Sequence, residues 1–289
     1  MALESVVREL VLIVGTMLAV TTLVLVGPTR LAAALRGYKW RIRKVTLALG
    51  LLIAVLLVRL GGQGIIPRLQ LSVVGLNITP QIDRVERAIF PENPVVFLQG
   101  FESELVTSFF VFIYIHGYAF LLLFPFIAYF SLRSMDRFSS LVVAFTANYA
   151  IGLVCYVFFI AYGPRNLLPL EVAPLLYDAY PQSRFLTNEV NQNTNVFPSL
   201  HTSLSMTVLF LAWVTRKEYP LWFPIAAVFA LSVVVSTMFL GIHWFSDVVA
   251  GTILAAISVY IGLNLDLEGL QRSTVAFVRT HVDPLLART

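Results

Sequence analysis

The sequence predicts an all-α integral membrane protein, a bundle of six to seven transmembrane helices. Hydrophobic residues make up 58% of the 289 residues and charged residues only 12%, whereas a soluble domain carries about 25% charged residues. The mean hydropathy of +0.83 agrees with this composition. The apolar residues form long runs without alternation, which indicates helices rather than a barrel, at roughly 20 residues per span.

Seven apolar runs account for the bundle. The first run follows a leader with both Glu4 and Arg8 and lacks a small-residue cleavage site, so we interpret it as a retained span. We divide the chain into an N-terminal part with an outer interfacial segment (1–104), a transmembrane bundle that carries the candidate site (105–265) and a cytoplasmic tail (266–289). The runs lie at about 8–27, 45–60, 105–130, 141–162, 200–215, 221–241 and 248–265.

The loops between the runs alternate in charge. Thirteen of the twenty Lys and Arg residues lie on one side of a seven-span topology. By the positive-inside rule that side is cytoplasmic, and the N-terminus lies on the outer, extracytoplasmic or lumenal, face. The net charge of +4 thus reflects membrane orientation, and we expect membrane lipids rather than nucleic acid as partners. The thirteen residues are Arg30, Arg36, Lys39, Arg41, Arg43, Lys44, Arg133, Arg137, Arg216, Lys217, Arg272, Arg279 and Arg288.

The outer segment contains one amphipathic pattern. Ile82, Val85 and Ile89 recur at helical spacing and share one face. The pattern fits a short helix lying at the membrane interface or, equally well, a solvated loop.

Three polar clusters, far apart in the sequence, fall at the outer ends of the predicted spans. They are Gly163–Asn166, Phe197–Ser203 and His243–Asp247. The topology places all three at one rim of the bundle, so we predict that they converge there into an active site.

The third cluster pairs an imidazole with a carboxylate. His243 and Asp247 are four residues apart, which places them on one face if the segment is helical. The carboxylate then fixes the imidazole tautomer and leaves the other ring nitrogen as a nucleophile. The alternative is a polar helix end that faces lipid headgroups.

The first two clusters suit an anionic ligand. Pro198 favours the first turn of a helix, whose N-terminus attracts phosphate, and Ser199 adds a hydroxyl next to His201. The alternative for Ser199 is ordinary helix capping. Arg165 is able to bind two phosphate oxygens at once; the alternative is a side chain that snorkels to the interface.

Two other classes of protein remain as alternatives. A metal hydrolase would use His201, His243 and Asp247 as ligands, although Cys155 is the only cysteine and excludes a cysteine zinc site. A transporter would need polar residues at the bilayer midplane, where His116 is one of few candidates. We predict neither a metal nor a cofactor.

These clusters resemble the signatures of a known family. Pro198-Ser199-Leu200-His201 resembles the second signature of the type 2 phosphatidic acid phosphatase superfamily, and residues 236–247 resemble its third. Gly163-Pro164-Arg165 occupies the place of the first, and the resemblance covers about residues 140–265. Phe158 and Thr237 stand where most members carry a lysine and an arginine. By lacking these two cations, the chain is similar to the branch of inositol phosphorylceramide synthases, which transfer a phospho-headgroup to a lipid alcohol.

The resemblance implies a metal-independent enzyme that acts on phospholipid or isoprenoid-lipid phosphates through a phosphohistidine. It implies that His243 is the nucleophile, that Asp247 orients it, and that His201 serves as acid and then base. The phosphate-binding residues that it implies are Arg165, Ser199, Pro198 and Thr237.

Overall fold

The computed structural model describes residues 2–62, 75–183, 194–267 and 269. Within these residues, six helices are long and apolar enough to cross a membrane, which confirms the all-α integral membrane fold. The fifth of the seven predicted runs, at about 200–215, forms a shorter apolar helix, Leu200–Val214. The six spans are Glu4–Val26, Tyr38–Gly62, Glu104–Phe130, Asp136–Phe158, Trp222–Phe239 and Phe245–Asn264.

Short helices and two short strands connect these spans. The first span continues the helix Ala2–Thr21 into the π-helical turn Thr22–Val26. The third joins the helices Glu104–Phe112 and Tyr118–Phe130 through the π-helical turn Ile113–Gly117. In chain order the elements are α1 (Ala2–Thr21), α2 (Pro28–Arg36), α3 (Tyr38–Gly62), β1 (Leu76–Asn77), α4 (Thr79–Ile89), α5 (Pro94–Gln99), α6 (Glu104–Phe112), α7 (Tyr118–Phe130), α8 (Asp136–Phe158), β2 (Phe159–Ile160), α9 (Pro164–Leu167), α10 (Leu175–Ala179), α11 (Leu200–Val214), α12 (Trp222–Phe239) and α13 (Phe245–Asn264).

Helix α11 lies in the centre of the bundle. Its 15 residues extend about 22 Å, less than the roughly 30 Å of a bilayer core. It packs against α7, α8, α12 and α13, and these neighbours shield it from lipid. Several serine and threonine side chains are buried along it, and the neighbouring α8 supplies a partner for Ser203 and Thr207.

A polar contact fixes α11 against α8. The Asn148 amide donates to the Thr207 hydroxyl at 2.8 Å, and the Ser203 hydroxyl donates to the Asn148 carbonyl oxygen. On its other side α13 approaches α11 very closely at Gly251. A Cβ added to this glycine would lie 2.5 Å from the Ser199 carbonyl oxygen. The start of α11 is thus held between two helices.

The outer segment forms the expected short helix, α4, but a different face of it is buried. Ile82 and Glu86 pack against the bundle, whereas Val85 and Ile89 are half or more exposed. The predicted apolar stripe is therefore only partly used for packing. Strand β1 ahead of this helix pairs in parallel with β2, which ties the segment to the end of α8. Residues 63–74 of the segment lie outside the described residues.

Candidate active site

Main-chain hydrogen bonds bring the three polar clusters together. The N–H of Arg165 donates to the Gly241 carbonyl at 3.3 Å, and the N–H of Ser199 donates to the Asp247 carbonyl at 3.1 Å. The second cluster is thus bonded to the third, and the first is bonded to Gly241, two residues ahead of the third. The structure therefore gathers the clusters at one end of the bundle, as their positions in the predicted topology indicated.

The His243–Asp247 pair is formed by a helix cap and not by a helix face. Helix α13 begins at Phe245 with Trp244 as its N-cap, so His243 lies outside the helix and the explanation from helical spacing was wrong. One oxygen of Asp247, Oδ2, accepts from the Trp244 N–H at 2.9 Å and faces Nδ1 of His243 at 3.4 Å. A carboxylate at the third helical position commonly bonds back to the N-cap in this way. The cap therefore orients the carboxylate that in turn orients the imidazole.

A tight turn delivers His243 to this position. The N–H groups of Ile242 and His243 both donate to the Thr237 carbonyl at 3.0 Å, and Gly241 adopts a positive φ of 72° that disfavours other residues. The Thr237 hydroxyl is fully buried and donates to the Val234 carbonyl at 2.7 Å. These contacts give Thr237 a part in shaping the turn, while its contact with phosphate stays a prediction.

Two residues to which the sequence assigned no role, Gln99 and Trp244, support the turn. The Gln99 amide donates to the carbonyls of Ala173 and Phe239 and accepts from the Ala173 N–H. The fully buried Trp244 donates through Nε1 to the Tyr162 carbonyl at 2.8 Å. Both contacts join segments more than seventy residues apart, so no local pattern in the sequence reveals them.

His201 faces the same site from the first turn of α11. Its ring stacks on Tyr114 at 4.7 Å and contacts the Tyr118 ring at 4.6 Å between centroids. The ring centroids of His201 and His243 are 6.2 Å apart. At this separation both imidazoles are able to contact a single phosphoryl group.

Ser199 and Pro198 shape the entry to α11. Ser199 is its N-cap, fully buried, and its hydroxyl accepts from the Thr202 N–H at 3.3 Å, as the capping alternative required. Pro198 precedes the cap and does not lie in the first helical turn as expected; its carbonyl accepts from the Tyr156 hydroxyl at 3.2 Å. The positive end of the α11 dipole therefore lies beside His201.

Arg165 is fixed by an aromatic ring and retains an unused donor. Its guanidinium carbon lies 4.6 Å from the centroid of the Tyr177 ring, and Nη2 donates to the Tyr177 hydroxyl at 3.2 Å. Its Nη1 is buried and has no hydrogen-bond partner in the described part of the chain. A buried donor without a partner is costly in an empty site and is suited to a bound anion. Arg165 is therefore held in the site and does not simply snorkel to the interface.

Burial keeps His243 neutral. The imidazole is 3% exposed, and this desolvation, reinforced by the charge of Arg165, lowers the pKa of His243 well below its usual value. A hydrogen bond to the Val196 carbonyl acts in the opposite direction. At neutral pH the ring therefore has a lone pair available for attack.

Glu86 is a buried acid next to the site that no pattern in the sequence indicated. It is 1% exposed, and its Oε1 accepts from the Ser246 N–H at 2.7 Å, in the first turn of α13. Its Oε2 has no partner among the described residues. Burial raises the pKa of Glu86; the hydrogen bond from Ser246 opposes this shift, and the negative charge of Asp247 adds to it. Glu86 thus supports the helix end that carries Asp247.

We expect Glu86→Ala to destabilise the protein by about 1–3 kcal/mol, because the Ser246 N–H loses its acceptor in a buried position. Glu86→Gln retains an acceptor and is expected to lose less. Thermal unfolding and kcat/KM of the purified protein measure both effects. The exposed Glu92→Ala is the matched control, and equal stability of the Glu86→Ala and Glu92→Ala proteins would contradict the assignment.

The structure also bears on the metal-site alternative and on His116, the histidine inside the third span. Among the described residues, no group of three or more His, Cys, Asp and Glu side chains is arranged to hold a metal ion. His116 lies in the π-helical turn between α6 and α7, where its ring stacks on Phe112 and Nε2 is 3.9 Å from the Glu9 carboxylate. This cluster is built around α1 and is distinct from the pair formed by His243 and Asp247.

The chain matches one protein family. The family model described as the PAP2 superfamily matches residues 81–261, which is more than half of the chain. The match begins ahead of the signature region and includes most of α4 and all of α5, whose Glu86 and Gln99 contact the site. Neither a curated protein nor a solved structure matches the chain.

Proposed function

This chain belongs to the PAP2 superfamily, and on that premise we propose that it is a membrane lipid phosphatase or phosphotransferase that works through a phosphohistidine at His243. Membership supports a phosphatase or phosphotransferase function on lipid phosphates. The observation that carries the finer proposal is the geometry of the histidine pair: His243 is held by Asp247 at 3.4 Å, and the His201 ring lies 6.2 Å away.

In the first step the free ring nitrogen of His243 attacks phosphorus. A P–N bond forms, the bond between phosphorus and the lipid oxygen breaks, and a protonated His201 gives its proton to the leaving oxygen. Asp247 accepts a hydrogen bond from Nδ1–H of His243 and stabilises the positive charge that develops on the ring. Arg165 and the N-terminus of α11 stabilise the charge on the phosphoryl oxygens as it shifts in the transition state.

In the second step His201 acts as the base. It removes a proton from an incoming hydroxyl, whose oxygen then bonds to phosphorus while the P–N bond breaks. Water as acceptor gives a phosphatase, and an alcohol gives a phosphotransferase. The substrate class that we propose is a phospholipid or an isoprenoid-lipid phosphate.

The transferase form is the second candidate. Phe158 and Thr237 occupy positions where the resemblance places cations in most members, and Thr237 donates its hydroxyl to the main chain. In this respect the chain is similar to the inositol phosphorylceramide synthase branch. We propose the outer, extracytoplasmic or lumenal, face for the site, because the clustered basic loops lie at the opposite ends of the spans.

The test is to trap the phosphoenzyme. Purified protein is mixed with a radiolabelled lipid phosphate in the presence of a chelator, quenched, and examined for acid-labile phosphate bound to protein. We expect label on the wild type and slower release of it in His201→Ala, because the second step lacks its base. Product analysis with and without inositol, glycerol or ceramide separates the acceptors. Normal turnover without any labelled protein, or strict dependence on a divalent ion, would contradict the proposal.

A further inference from the structure

One intramembrane cation has no part in the mechanism above. Arg59 lies in the last turn of α3, ahead of the region that the family model matches. In the described part of the chain, no carboxylate lies within ion-pair distance of its guanidinium. A charged side chain in a membrane span is costly and normally faces a partner or a polar site. The structure therefore has a cation at the site end of the bundle that has no counter-ion among the described residues.

The surroundings of Arg59 connect it with His201. Its guanidinium carbon lies 5.2 Å from the centroid of the Tyr149 ring, a cation–π arrangement that holds the charge without neutralising it. The charge of Arg59 also interacts with Tyr118, Tyr156 and His201. The Tyr118 ring itself contacts the His201 ring at 4.6 Å. Arg59 is thus close enough to His201 for its charge to act on that imidazole.

The other arginine of the site acts on the opposite imidazole. The charge of Arg165 interacts with His243, and Arg165 is fixed by Tyr177. Each histidine therefore has one arginine associated with it, and each arginine lies over a tyrosine ring. A ligand that contacts both histidines is therefore exposed to the positive charge of both arginines.

We propose that Arg59 forms a second anion subsite, on the leaving-group side of His201, that accepts a negatively charged group next to the transferred phosphoryl group. This inference rests on the proposed function, because the role of His201 defines the leaving-group side. A lipid diphosphate has such a group: its inner phosphate leaves and carries negative charge. A guanidinium is able to bind two of its oxygens at once.

The first test compares two substrates that differ only in this group, farnesyl monophosphate and farnesyl diphosphate. In Arg59→Gln we expect kcat/KM for the diphosphate to fall by about 10–100-fold, with a clearly smaller loss for the monophosphate. Arg59→Lys retains the charge but not the two-pronged contact, so it is expected to recover part of the loss. Arg43→Gln, an exposed position at the other end of α3, is the matched control. Equal losses for the two substrates, or losses no greater than those of Arg43→Gln, would overturn the proposal.

A second measurement needs no turnover. In a His243→Asn protein, inorganic pyrophosphate is expected to raise the unfolding temperature, and adding Arg59→Gln is expected to remove most of that shift. The unfolding temperatures without ligand report whether Arg59→Gln folds normally. A full pyrophosphate shift in the double variant would overturn the subsite. If the wild type forms no phosphoenzyme yet the Arg59-dependent shift persists, the proposed function fails while the subsite is supported.

Discussion

His243→Asn is expected to lower kcat by about 10⁴-fold or more with a lipid phosphate substrate, because it removes the only atom proposed to bond to phosphorus. Asparagine is smaller than histidine but retains polar atoms that are able to face Asp247. The main-chain bonds from Ile242 and His243 to Thr237 do not depend on the side chain. We therefore expect the variant to fold and to bind substrate while failing in the chemical step.

The control for this variant is the same substitution at His116. That side chain is also buried in the bundle, but it contacts Phe112 and Glu9 and does not contact the site. Single-turnover kinetics with radiolabelled substrate measure both proteins. A His243→Asn protein that turns over at the wild-type rate, or a His116→Asn protein that loses as much activity, would rule out the proposed nucleophile.

Asp247→Asn is expected to reduce kcat by about 10²–10⁴-fold, because it removes the negative charge beside His243. In the wild type Oδ2 accepts from the Trp244 N–H and also faces Nδ1 of His243, so an asparagine oxygen in its place is able to keep both contacts. A neutral amide does not stabilise the positive charge that develops on the imidazole when its other nitrogen bonds to phosphorus. The loss is therefore expected in the chemical step.

Asp136→Asn is the matched control, since Asp136 is also an acidic residue in the first turn of a long helix, α8. The KM of Asp247→Asn is expected to change little, because the carboxylate is fully buried and is not proposed to touch the phosphoryl group. A large rise in KM with unchanged kcat would assign Asp247 to binding instead. A wild-type pH–rate profile in Asp247→Asn would likewise count against its effect on His243.

Patterns that extend along the whole sequence predict the bundle and the position of the site. Apolar runs identify the spans because a bilayer requires about 20 apolar residues per helix. The placing of basic loops at one end leaves the clusters around Arg165, His201 and His243 at the other end. Topology alone thus brings together residues that are nearly eighty positions apart in the chain.

The local geometry does not follow from spacing. His243 and Asp247 are four residues apart, but a turn at Gly241 and a cap at Trp244 make the contact, since helix α13 begins only after His243. Glu86 and Gln99 belong to short helices, in which a single polar residue forms no periodic pattern. Their partners are 160 and up to 140 residues away, and such contacts become apparent only in three dimensions.

The bonds that join the three clusters have a consequence for protein engineering. Arg165 to Gly241 and Ser199 to Asp247 are main-chain contacts, so exchange of side chains leaves them intact, whereas insertion or deletion of residues between Gly241 and Asp247 shifts their register. Grafted loops that aim to change substrate preference should therefore keep this segment at its native length. Random libraries confined to point substitutions are expected to preserve the active-site frame better than recombined chimeras.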